Sequence, residues 1–82
     1  MNKLKEMREK KGLTQTQLSE LSGIGIRVIQ SYEGNFEGSR KVDKAVLDTL
    51  LKLAAALDCR IYEFLEDPEL QKQLVKYENM GK

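Results

Sequence analysis

The sequence predicts an all-α domain of five helices with a further helix at the C-terminus, and three stretches carry that expectation. Residues 14–35, TQTQLSELSGIGIRVIQSYEGN, read as two short helices joined by a glycine turn. Val42, Val46, Leu50, Leu53 and Leu57 recur at three- and four-residue spacing, as the buried stripe of one long helix does. Asp67-Pro68-Glu69 is a helix start, with an N-cap carboxylate, proline at the first helical position and a second acid in the first turn.

In chain order, residues 2–11 form a first helix with Leu4 and Met7 inward, and Gly12 ends it. Its lysines read either as a solvated face or as a binding site. Thr14 N-caps the second helix, and Gln17, three residues on, completes a capping box. Leu18 and Leu21 are its inward positions, Ser22-Gly23 its stop, and Ile24 plugs the corner. The third helix runs from about Gly25 to Glu33, with Ile29 and Tyr32 inward, Ile26, Arg27, Gln30 and Ser31 on the other face, and Gly34-Asn35 as a stop. Two helices this short need a scaffold. Phe36 to Ser39 is a loop, and Ser39 caps the long fourth helix, which reaches Leu57 with Ala45 and Ala54 on its buried side. Arg40 and Lys41 then sit in its first turn, where the helix dipole disfavours cations. They face a phosphate or are solvated and screened by Asp43. Ile61 to Leu65 is a short fifth helix, and the last helix runs from Asp67 to about Asn79, aligning Leu70, Leu74 and Tyr77. That stripe either folds back on the core or pairs with a second chain.

Eighty-two residues make one domain, of ordinary globular composition at 40% hydrophobic and 33% charged. The net charge of +1 is uneven: residues 1–44 carry nine Lys/Arg against six Asp/Glu, and residues 45–82 carry five against seven. The asymmetry favours an anionic partner at the helix-turn-helix end, although such a difference also arises by chance. A lone cysteine, Cys59, cannot form an intrachain disulfide, which makes a reduced cytoplasm the expected location and a small packing role the expected one. No segment reads as a signal peptide or membrane span. Catalysis is the poorest reading: there is no histidine, no glycine-rich phosphate loop and no metal-spaced carboxylate cluster, so neither cofactor nor metal is expected.

Leu13-Thr14-Gln15-x-Gln17-Leu18-Ser19, Ser22-Gly23-Ile24, Ile29 and Tyr32-Glu33-Gly34-Asn35 resemble the phage-repressor and Cro-type, XRE-like helix-turn-helix family. Leu50-Leu51-Lys52-Leu53-Ala54-x-Ala56-Leu57 with Ile61-x-x-Phe64-Leu65 is similar to its closing helices. The resemblance covers about residues 3–66, a lambda-repressor-like domain, and leaves 67–82 as an extension for packing or dimerisation. It implies a sequence-specific transcriptional regulator, a repressor acting as a dimer on double-stranded DNA. Ile26, Arg27 and Ser31 fall where the family reads bases. Thr14, through its backbone amide, Gln15, Gln30, Asn35, Arg40 and Lys41 fall on or beside the DNA backbone, and Arg8 and Glu33 occupy the positions of a structural ion pair. Leu70, Leu74 and Tyr77 are candidates for a dimer interface.

The chain departs from the family's pattern at three places. Ile26 and Val28 are apolar where polar readers are common, so they meet thymine methyls, the next loop or a protein partner. Gly25 replaces the usual polar cap. The connection after Gly34 is about two helical turns longer than the common form, through Phe36 to Lys44. The alternative function is an antitoxin-like or adaptor module that binds protein on the same fold.

Overall fold

A computed structural model describes residues 2–34 and 41–79, which form five α-helices and two 3-10 turns and, among the described residues, no strand. The helices are α1 (Lys3–Lys10), α2 (Gln15–Ser22), α3 (Ile26–Glu33), α4 (Leu47–Leu57) and α5 (Pro68–Asn79). A 3-10 turn at Val42–Lys44 precedes α4, and a second at Ile61–Phe64 follows it. No helix among them is long and apolar enough to cross a membrane.

Helices α1 and α2 start and stop where their local chemistry directs. Asn2 caps α1 by accepting from the Lys5 amide at 2.9 Å, and Gly12 leaves it at φ +73°. Thr14 and Gln17 close a reciprocal capping box on α2: the Gln17 amide donates to the Thr14 hydroxyl at 3.1 Å, and the Thr14 amide to the Gln17 side chain at 2.9 Å. Gly23 ends α2 in the left-handed region, φ +75°, which a side chain would strain.

Leu4, Leu18, Ile29, Leu53, Leu57, Phe64 and Leu65 are fully enclosed in one core, with Ile24, Tyr32, Val42, Leu50, Ala54 and Ile61 around them. Helix α2 packs on α4 and on α3, α1 on α3 and on the second 3-10 turn, and α5 on that same turn. Cys59 is half-buried, and that burial, helped by Glu63, pushes its thiol up to about 11, far from a reactive thiolate at neutral pH.

Three expectations are corrected, and the stripe of the last helix divides between its two alternatives. Leu21 is not inward but 62% exposed; the inner face of α2 is the i, i+4 pair Leu18 and Ser22, and Leu21 falls beside it. The long fourth helix is broken. Lys41, Ala45 and Val46 are extended, so Val42 enters the core from a 3-10 turn and Val46, 68% exposed, stands at the N-cap of α4 rather than in the stripe. The expected cap Ser39 and the loop before it lie outside the described residues. The short fifth helix is one 3-10 turn, bounded by extended Arg60 and Leu65. Of the last stripe, Leu70 and Leu74 pack on the core, whereas Tyr77 is 71% exposed.

These positions make a direct test. Leu53→Ala is expected to cost about 2 to 5 kcal/mol in denaturant unfolding, because it empties an enclosed site. Leu21→Ala is expected to stay within about 0.5 kcal/mol of wild type, as surface changes do. Comparable losses at the two positions would contradict the packing described.

Candidate nucleic-acid interface

The turn between α2 and α3 is fixed by two serines of α2. The Ser19 hydroxyl donates to the Ile24 carbonyl at 2.6 Å, and the Ile24 amide donates to the buried Ser22 hydroxyl at 3.1 Å. Neither role is evident from apolar spacing; the legible signal is a pair of serines one turn apart just before a helix-ending glycine. Helix α3 starts at Gly25 without a side-chain cap, and a Cβ there would meet only Val28 Cγ2, at 4.0 Å.

With Ile29 and Tyr32 buried, the 100° step per residue aims Arg27 and Ser31 away from the core. Arg27 and Gln30 are exposed, and Ile26 and Ser31 are half-buried. Val28 points elsewhere: it packs against the core cluster and lines a cleft whose opposite wall holds Lys41, Lys44, Ala45, Val46 and Thr49. Lysines thus stand on one side of the α3 start. Lys44, which sequence reasoning did not single out, joins Lys41 on that wall, three residues on. Asn35 and Arg40 lie outside the described residues.

On the other side, Gln15 opens α2 beside α3. Its side-chain amide donates to Glu33 Oε1 at 3.2 Å, and its carbonyl oxygen accepts from Gln30 Nε2 at 3.5 Å. Gln15 and Gln30 therefore stand together on one edge of α3. The Thr14 amide, expected to face a phosphate, is instead engaged inside the capping box.

Behind α3, Arg8 and Glu33 form a buried ion pair. Arg8 Nε donates to Glu33 Oε2 at 2.8 Å and Nη2 to Oε1 at 3.0 Å, while Nη1 donates to the Leu13 carbonyl at 2.7 Å. The bond to Glu33 holds the guanidinium above its already high value. Asn2 adds a further tie, donating from Nδ2 to the Tyr32 carbonyl at 2.8 Å and so engaging one of the last carbonyls of α3. Helix α3 is secured at its C-terminal end to α1 and along one edge to α2.

Removing one partner strands a buried charge. Arg8→Ala is expected to cost about 3 to 5 kcal/mol in denaturant unfolding. The double change Arg8→Met with Glu33→Leu recovers most of that loss, since both charges then leave together. A loss under about 1 kcal/mol for Arg8→Ala would rank the pair with surface ion pairs and contradict this account.

A family model described as the Cro/C1-type HTH DNA-binding domain matches residues 3–69, from the first residue of α1 into the first turn of α5. No curated protein and no solved structure is similar enough to the chain to count as a match. The match takes in both helices of the turn, the Arg8 and Glu33 positions and the closing 3-10 turn. The chain belongs to the Cro/C1-type helix-turn-helix DNA-binding family.

Proposed function

We propose that this DNA-binding domain is a sequence-specific transcriptional regulator, a repressor that acts as a dimer on a pseudo-palindromic operator. The observation that carries the reading is α3 itself: a helix sized for the B-DNA major groove, fastened by Arg8–Glu33 and Gln15, with Arg27 exposed on its outer face. Arg27 grips the two acceptors of a guanine, an interaction worth about 1 to 3 kcal/mol of discrimination, and Ile26 and Ser31 complete the reading set.

Backbone contacts flank it. Lys41 and Lys44 across the cleft, and Gln15 and Gln30 on the opposite edge, bracket α3 as two phosphate strands bracket a groove. Arg40 and Asn35 belong to the same set, and Thr14 contributes only through its hydroxyl.

One observation favours a second reading, a protein-binding module: Ile26 is half-buried and lies on the outer half of α3, apart from the core contacts that Val28 makes. Salt separates the two. Binding to duplex DNA falls steeply as salt rises, through lost counterion release, whereas docking on an apolar protein patch does not.

Two variants test the roles. Across a panel of duplexes of different sequence, Arg27→Ala is expected to flatten the ranking of affinities while leaving the fold intact. Lys41→Ala is expected to weaken all duplexes alike and reduce the log–log salt slope by about 0.9, as loss of one phosphate contact does. An unchanged ranking for Arg27→Ala would sink its assignment as base reader.

A further inference from the structure

Asp43 is an acid set between two cations. Lys41 and Lys44 are exposed and line the cleft beside α3, and Asp43, half-buried, lies between them in the chain. On a segment that meets phosphate, a carboxylate so placed works against binding by charge alone. The 3-10 turn sends that charge elsewhere. With three residues per turn, successive side chains leave about 120° apart, so Val42, Asp43 and Lys44 take three directions. Val42 enters the core, Lys44 lines the cleft, and Asp43 reaches the start of α5.

There the carboxylate is gripped by backbone. The Glu66 amide donates to Oδ1 at 3.0 Å and to Oδ2 at 3.2 Å, and the Asp67 amide donates to Oδ2 at 2.9 Å. Hydrogen bonds to an ionised acceptor are the stronger kind, and the N-terminal end of a helix favours an anion. Among the described residues the carboxylate makes no ion pair with Lys41 or Lys44, so both ammonium groups are left for another anion. The turn's own bonds, from the Lys44 amide to the Lys41 carbonyl and from the Ala45 amide to the Val42 carbonyl, set its shape but attach it to nothing. Val42 anchors it at one point in the core, about which it could still rotate. Asp43 supplies the second point.

We infer that Asp43 is a positioning residue for DNA binding. By accepting from the Glu66 and Asp67 amides it fixes the rotation of the turn, and so aims Lys41 and Lys44 at one phosphate strand beside α3. The inference rests on the backbone contacts proposed above for those lysines. The expected effect of removing Asp43 is opposite in sign to that of charge. Losing a carboxylate near a polyanion tightens binding by Coulomb's law, whereas losing this one weakens binding, because the phosphate contacts of two lysines go with it.

Fluorescence-anisotropy titration of the full chain against a labelled duplex of one arbitrary sequence, repeated over a salt series, reads both affinity and salt slope. Asp43→Asn, nearly isosteric, is expected to weaken binding at about 0.1 M salt by up to roughly eightfold for each lysine displaced, and to lower the log–log slope by up to about 0.9 for each. In a Lys41→Ala, Lys44→Ala background the same change no longer weakens binding, a result that general damage to the fold would not give. Asp48→Asn, whose carboxylate pairs with the Lys52 side chain instead, follows charge alone and binds as wild type or more tightly. If Asp43→Asn loses the helical circular dichroism of wild type, Asp43→Glu decides: with the charge kept and the arm lengthened, weaker binding at a lower slope supports the inference and wild-type binding overturns it. The inference is also overturned if folded Asp43→Asn binds as wild type or more tightly, if its weakening persists without the lysines, or if Asp48→Asn weakens binding equally. Wild-type binding by the Lys41→Ala, Lys44→Ala variant would overturn the lysine contacts themselves, and this inference with them. Weak binding by that variant beside full binding by Asp43→Asn would overturn this inference alone.

Discussion

The pairing of Arg8 with Glu33 is the constraint on which the rest of the molecule depends. Helix α3 has eight residues, too few to hold itself, and the direction of its outer face is set by what grips the inner one. Ile29 and Tyr32 supply burial, but apolar contacts fix distance better than rotation. The bidentate pair, the Leu13 carbonyl on the same guanidinium and the Gln15 amide on the same carboxylate fix rotation. Desolvating two charges costs several kcal/mol per ion, so the pair is better understood as an orienting device than as a net source of stability. Its position ties the last residue of α3 to α1 and leaves Arg27, on the opposite face, exposed.

Much of this was legible in the sequence because the informative residues act locally. Thr14 and Gln17, Gly12 and Gly23, and Asp67-Pro68 specify helix ends through bonds and backbone angles within a few residues, and the ends fall within a residue or so of the expected places. The Arg8–Glu33 positions were legible only by resemblance, since nothing local links residues 25 apart. What misled was apolar spacing. Val42 and Val46 continue the four-residue rhythm of Leu50, yet the chain between them is a 3-10 turn with an extended exit, and Leu21 satisfies the rhythm of α2 while facing solvent. Periodicity records which residues could share a face, not whether the helix that would align them is continuous.

The break before α4 has a visible cause in long-range hydrogen bonds. Asp43 reaches from the 3-10 turn to accept from the amides of Glu66 and Asp67 at 2.9 to 3.2 Å, and Glu66 in turn accepts from the Lys3 amide at 2.6 Å. The Asp43 carboxylate thus joins the 3-10 turn at Val42–Lys44 to the start of α5, and the Glu66 carboxylate joins that start to α1. Residues 67–79 are consequently bound to the domain by polar contacts at the start of α5, through Gln71, and near its end, through Glu78. Sequence alone could not assign these acids, because an N-cap, a solvated charge and a long-range acceptor are the same residue type.

Selection of binding sites from a randomised duplex pool at moderate salt, followed by sequencing of the enriched fraction, tests the central claim most directly. The account predicts a two-fold symmetric motif whose half-sites lie about one helical turn apart. Enrichment of no sequence over the input pool would contradict base reading by α3 and turn attention to a protein partner on the same face.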